Sequence, residues 1–285
     1  MEKARNSDAG TVTTQDLVAA WEKATGRRWD RLGERIKTQV KPYLSRAKGR
    51  PDIRFCIFAQ GRTGSSLLRS LINGHPDLQC RGEVLGPDAV LFPVRYVERL
   101  ARHTPRPAFG FKVKVYQLTH HQGISDPNGF MKALVRRGYR IIHLHRRNVL
   151  RQAISNSYAL AAGRYHLQAG QSGGPEAIRV DPGKLRGVME RRQEHTVLET
   201  SALRGLESDT LGLVYEDHLL DPTAHQSTVD TVFEFLGLPP SVEVEARFER
   251  IVTGSLRDRI SNFAELEQEL AGTPFAQHLD DPAYQ

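Results

Sequence analysis

Apolar and polar positions along this chain follow two periods, and the switches between them lay out the elements. Ile53, Phe55, Cys56, Ile57 and Phe58 form a nearly continuous apolar segment of strand length, as expected of a parallel strand covered on both faces. Leu67, Leu68, Leu71 and Ile72 then recur at helical spacing, and Asn73, Gly74 and Pro76 supply a helix end. From Pro107 to Tyr116 the period is two. Phe109, Phe111, Val113 and Val115 fall on one face, and Gly110, Lys112, Lys114 and Tyr116 on the other. Tyr139 to His145 reads as a further short strand, leading into a helix marked by Leu150, Ala153, Ile154, Tyr158 and Ala161. Six glycines between residues 163 and 187 predict a long loop, and residues 188–204 a charged helix. Leu211 to Tyr215 reads as a strand. Asp221 and Pro222 have the form of N-cap and first helical residue, opening a helix through Val229, Val232, Phe233 and Leu236 that Gly237 and Pro239 close.

Strands alternating with helices predict an α/β fold with a mainly parallel sheet. Residues 14–48, with Leu17, Val18, Trp21, Trp29, Leu32, Ile36 and Val40, read as a helical arm after a disordered start over residues 1–13. The expected division is therefore 1–50 for the start and arm, and 51–285 for one α/β domain. The arm packs on its own domain or on a second copy, so a homo-oligomer stays open.

At 285 residues, 39% hydrophobic and 26% charged, the chain has the composition of an ordinary soluble globular protein. Its net charge of +7 suits an anionic ligand or surface without choosing among them. No apolar run reaches the ~20 residues of a transmembrane helix. The first 16 residues lack the apolar core of a signal peptide. The two cysteines, one of them Cys56 inside the first strand, suggest no disulfide framework, so a reducing cytoplasm is the default.

Chemistry concentrates where the first strand meets the first helix. Gly61-Arg62-Thr63-Gly64-Ser65-Ser66 joins them, so free backbone N–H groups and a positive helix end converge on one point. Arg62 adds a fixed charge, and Ser65 and Ser66 add hydroxyls. This is a phosphate cradle, yet not a Walker loop, which requires Lys directly before the hydroxyl residue; here Gly64 is followed by Ser65. A second strand-to-helix junction carries Arg147 and Ser155, a cation capable of bidentate binding and a hydroxyl on the following helix. A ligand with two separated anionic groups would use both.

The two junctions, in this order, resemble those of a sulfotransferase that uses 3′-phosphoadenosine 5′-phosphosulfate (PAPS). The likeness is greatest to the bacterial carbohydrate branch that includes trehalose and Nod-factor sulfotransferases. Gly61-Arg-Thr-Gly-Ser-Ser-Leu-Leu68 is similar to the 5′-phosphosulfate loop, Arg147-Asn-Val-Leu-Arg-Gln-Ala-Ile-Ser155 to the 3′-phosphate motif, and Tyr215-Glu-Asp217 to a strand end near the adenosine. The resemblance covers residues 53–240 and implies a P-loop-kinase-like three-layer sandwich. It also implies that Gly61 to Ser66, Arg147, Ser155 and Tyr215 bind PAPS, that Arg62 stabilises the leaving phosphate, and that Glu83 in Cys80-Arg-Gly-Glu83 is the general base. His75 is a rival base, read more simply as a buried helix-ending residue. For Lys112 and Lys114, contact with sulfate or acceptor competes with a solvated edge-strand face. Arg151 either assists Ser155 or points to water, and Glu216 and Asp217 read as structural. The family's Lys-Gly or Arg-Lys-Gly pattern near the 3′-phosphate is absent; Arg257 is its candidate substitute. No metal is implied. The acceptor class is a hydroxyl-bearing carbohydrate, glycolipid or small molecule, with no role for nucleic acid. Two alternatives remain: an ATP-dependent small-molecule kinase, and a non-catalytic basic module binding nucleic acid or acidic surfaces.

Overall fold

The computed structural model describes residues 49–161, 177–240 and 255–284, with the backbone of two short strands between them. The proposed helical arm and residues 163–166 and 169–176 of the glycine-rich stretch lie outside the described residues. The elements run β1 (Ile53–Ala59), α1 (Ser65–Ile72), β2 (Leu78–Glu83), α2 (Pro93–Ala101), β3 (Ala108–Val113), α3 (Pro127–Val135), β4 (Tyr139–His145) and α4 (Val149–Ala161). There follow β5 (Leu167–Gln168), α5 (Pro182–Leu203), β6 (Thr210–Val214), α6 (Tyr215–His218), α7 (His225–Leu236), β7 (Phe248–Glu249), α8 (Leu256–Arg259) and α9 (Phe263–Leu270).

Five strands form one sheet in the order β2-β3-β1-β4-β6, and every pairing in it is parallel. β5 and β7 make a separate antiparallel pair. The continuous apolar run of β1 follows from its central place: alternate side chains feed opposite layers. Phe55, Ile57 and Ala59 pack with Leu68, Leu71 and Ile72 of α1 and Val229, Val232 and Phe233 of α7. Cys56 and Phe58 pack on the other face with Val97 and Leu100 of α2, Met131 and Leu134 of α3, and Ala202 of α5. Burying each such Leu or Phe contributes roughly 1.5–3 kcal/mol. The result is the expected sheet between two helical layers. Gly110 lies under the Phe55 ring, which is why no side chain occupies that position.

Three expectations need correction. β3 lies between β2 and β1 and is buried along its whole length, so Lys112 is not on a solvated edge. The edge strand on that side is β2, whose mixed sequence Leu-Gln-Cys-Arg-Gly-Glu hid it. The charged helix begins at Pro182, not 188: Asp181 caps it by accepting from Lys184 N, and Gly183 and Gly187 are helical. Asp221 likewise accepts from Thr223 N, but it opens a 3₁₀ turn, Pro222–Ala224, before α7. Gly237 ends α7 at φ 74°, as the helix-stop pattern predicts.

Candidate active site

β1 delivers the chain to the C-terminal edge of the sheet, and the backbone turns back on itself before α1. Arg62 (φ 68°) is the single non-glycine residue with positive φ among the described residues, and Gly64 has φ 85°. A left-handed arginine costs about 1–2 kcal/mol, so surrounding contacts must hold it. Gln152 of α4 and Arg192 of α5 both donate to the Gly61 carbonyl, at 2.8 and 3.0 Å. Thr63, buried, donates to the Gln60 carbonyl at 2.9 Å, and Arg146 donates to the Arg62 carbonyl at 3.3 Å. Gly64 sits against Tyr215: a Cβ there would lie 2.7 Å from the Tyr215 ring. Packing on Tyr215 thus sets the backbone at Gly64, and the Ser65 N-terminus of α1 turns positive backbone toward the loop.

The two junctions meet. β1 and β4 are adjacent, and the Arg62 guanidinium donates to Ser155 Oγ from Nε (3.0 Å) and Nη2 (2.9 Å). Arg147 does not reach Ser155 here. Its guanidinium forms a bidentate pair with Asp217 at 2.7 and 2.6 Å, half exposed, and Asp217 holds its pKa up through that hydrogen bond. Asp217, read from sequence as structural, is thus the charged partner of Arg147, the candidate 3′-phosphate residue. Glu216 is structural: it accepts from the backbone N–H groups of Arg147 and Asn148 and from the Tyr284 hydroxyl. Tyr215 is buried, with Arg146 over its ring at 4.4 Å. Tyr284 lies beneath Arg151 at 4.3 Å and accepts from Arg146 Nε at 3.0 Å.

Glu83, the last residue of β2, accepts from Lys114 Nζ and Gln117 Nε2, both at 2.8 Å, with Lys112 Nζ at 3.7 Å. Lys112 in turn donates to Ser66 Oγ at 2.9 Å, which connects Glu83 to the cradle. Burial pushes the Glu83 carboxyl up, but the Lys114 hydrogen bond and charge, Lys112 and Gln117 together bring it below its ordinary value. The raised value expected of a partly buried base is not what this environment produces. Burial brings Lys112 down to about 8, against the opposing pull of Glu83.

His75 is buried, accepts from Asp77 N through Nδ1 at 3.1 Å and packs edge-on to Phe233, the structural role read for it. Arg257 pairs with Glu267 at 2.8 Å and stacks on Phe263. Cys56 and Cys80 are free thiols, and burial pushes both up. Sequence reasoning missed Arg146, Arg192 and Tyr284. Arg146 directly precedes Arg147 and was legible in principle; the other two come from distant segments. No group of three or more His, Cys, Asp or Glu among the described residues is placed to hold a metal, and no helix there is long and apolar enough to cross a membrane.

No protein-family model matches the chain. Among solved structures it is similar to a mouse sulfotransferase complexed with PAP (TM-score 0.44, 12% identity, 81% of this chain and 89% of that one). It is also similar to the sulfotransferase domain of a Synechococcus olefin synthase (TM-score 0.36, 16% identity, 83% of this chain and 96% of that one). In sequence it is similar to nodulation protein H of Rhizobium tropici, at 28% identity over 242 residues, 80% of this chain and 94% of that protein. Nodulation protein H of Rhizobium meliloti is 25% identical over 244 residues, 81% of this chain and 96% of that protein. This nearly end-to-end likeness to nodulation protein H supports the resemblance to bacterial PAPS-dependent sulfotransferases that the two strand-to-helix motifs carry.

Proposed function

We propose that this protein transfers the sulfuryl group of PAPS to a hydroxyl of a carbohydrate or glycolipid acceptor, with Glu83 as general base. The observation that carries the reading is the contact of Arg62 with Ser155, which joins the cradle after β1 to the helix after β4. It gives one continuous surface for a nucleotide with phosphate groups at both its 5′ and 3′ positions. The likeness to nodulation protein H supports a carbohydrate-type acceptor.

PAPS, when bound, supplies a sulfuryl group carried on a phosphate leaving group. The residues named above then divide the work. Arg62 and the cradle N–H groups stabilise charge at the 5′ end; arginine keeps its proton, so this is electrostatic stabilisation and not acid catalysis. Arg147 holds the 3′-phosphate with Ser155, and to do so shares or exchanges its bond with Asp217. Lys114 and Gln117 fix the Glu83 carboxylate in its ionised form, ready to take the acceptor's hydroxyl proton. A carboxylate with a depressed pKa is a weaker base, so its position beside the acceptor carries more of the effect than its basicity.

Thermal stabilisation by adenosine 3′,5′-bisphosphate, compared with ATP plus Mg²⁺, tests the donor. Mass action gives about 2.7 kcal/mol at 100 times the dissociation constant. A larger shift with ATP overturns the donor reading in favour of a kinase. Glu83→Gln should keep bisphosphate binding and abolish turnover of labelled PAPS with oligosaccharide acceptors. Normal turnover by that variant removes Glu83 as base.

A further inference from the structure

Arg192, on the inner face of α5, is the least compensated cation of the cluster around the cradle. Lys112 and Lys114 face Glu83, Arg147 faces Asp217, and Arg146 has Glu216 at 3.7 Å and the faces of two tyrosines. Among the described residues Arg192 has no carboxylate within 4.0 Å, and its Nε is buried without a hydrogen-bond partner. Among the described residues its side chain makes one hydrogen bond, to the Gly61 carbonyl, which also accepts from Gln152 at 2.8 Å. A neutral carbonyl supplies no charge to answer a guanidinium, whose desolvation is costly unless a charge answers it. Arg146 and Arg62 are close enough to add repulsion: burial, then those two charges, bring Arg192 down to about 10, with Tyr116 and Glu199 pulling weakly the other way. Three guanidinium groups thus converge on the cradle loop: Arg62 within it, Arg146 on the Arg62 carbonyl and Arg192 on the Gly61 carbonyl.

We propose that Arg192 is a donor-binding residue, its guanidinium contacting the anionic oxygens at the 5′ end of the bound nucleotide beside Arg62. The assignment rests on the PAPS reading and deepens it. It makes the long helix α5, which carries Arg192 from the opposite side of the cradle, a third wall of the site.

Arg192→Gln removes the charge and keeps a polar amide, and Arg192→Lys keeps a charge without the fork. Calorimetric titration with adenosine 3′,5′-bisphosphate and with adenosine 3′-monophosphate separates the two ends of the ligand. Losing a charge-assisted contact should weaken bisphosphate binding by Arg192→Gln about 10- to 100-fold, with Arg192→Lys in between. Affinity for the 3′-monophosphate should stay within about twofold, and the salt dependence of bisphosphate binding should flatten, because one cation fewer is screened. Unchanged bisphosphate affinity in Arg192→Gln overturns the assignment while leaving the donor reading intact. Equal losses for both ligands, with the salt slope unchanged, assign Arg192 a structural role and also overturn it. If the unaltered protein binds neither nucleotide, the PAPS reading falls first and this assignment with it.

Discussion

Gly64→Ala tests the cradle where its geometry is tightest. The added Cβ would lie 2.7 and 2.9 Å from two ring carbons of Tyr215 and 3.1 Å from Leu219 Cδ1, at a backbone φ of 85°. The left-handed conformation costs a side chain about 1–2 kcal/mol, and forcing a buried ring aside costs about 1–3 kcal/mol more. The expected loss is therefore about 2–5 kcal/mol, measured as a fall in urea midpoint at constant slope. Against a typical domain stability of about 5–15 kcal/mol the protein stays folded, so function can be read in the same variant. There the consequence is specific. Tyr215 supports Arg146 at 4.4 Å, and Arg146 holds the Arg62 carbonyl, so a displaced ring loosens the cradle and bisphosphate binding falls. Gly212→Ala is the control: its φ is unexceptional and no atom lies within 4 Å of the new carbon, so the change should stay within about 0.5 kcal/mol. A Gly64→Ala protein as stable as this control, binding nucleotide normally, would refute the close packing of cradle and Tyr215.

Asp217→Asn removes the charge that competes for Arg147, so bisphosphate affinity should rise a few-fold while stability changes by no more than about 1 kcal/mol, the pair being exposed. Weaker binding in a titration would instead make Asp217 a partner that orients Arg147. The pH profile of kcat/KM should rise through the Glu83 pKa, below the ordinary glutamate value, and fall again near 8 as Lys112 loses its proton. Lys112→Arg should remove that alkaline limb; a limb unmoved by the substitution assigns it to another group. Because the folded Lys112 pKa lies below its unfolded value of 10.5, the unfolded chain binds more protons between about 8 and that value. Stability from this group should consequently rise with pH across that window, and an absence of any such rise in chemical denaturation counts against its burial.

What could be read from the sequence depended on whether a residue's determinants were local. β1, α1 and the cradle are adjacent in the chain, and the apolar run, the glycines and the helix stop at Asn73 all point the same way. Asn73 even shows why: its side chain pairs with the backbone of Cys80 and so fixes the return into β2. β2 itself was not legible, since an edge strand needs only half its side chains apolar. Gly183 and Gly187 made the start of α5 look like loop, although Asp181-Pro182 carries the same N-cap signature recognised at Asp221-Pro222. Arg192 lies 131 residues from the carbonyl it holds, and no local pattern reports that contact. The pairing of Arg147 with Asp217 was hidden for the same reason: each is ordinary in its own segment, and the parallel pairing of β4 with β6 brings them together.

Sheet topology explains why the two anion holders are neighbours at all. From β1 the chain crosses outward to β2, returns to β3, and then passes over β1 to reach β4, after which it proceeds the other way to β6. The direction of winding therefore reverses between β1 and β4, and in open parallel sheets the crevice at such a reversal, outside the strand C-termini, is where ligands bind. The loops after these strands must diverge, because their helices α1 and α4 leave in different directions. Arg62 spans the resulting gap to Ser155. A residue in left-handed backbone is an expensive way to bridge two loops, unless its purpose is to aim a charge into the crevice between them. The left-handed backbone at Arg62, the close packing at Gly64 and the Arg192 guanidinium all fall within this one reversal point. That coincidence is what the proposed reading, a site for a doubly anionic nucleotide, requires of this reversal point.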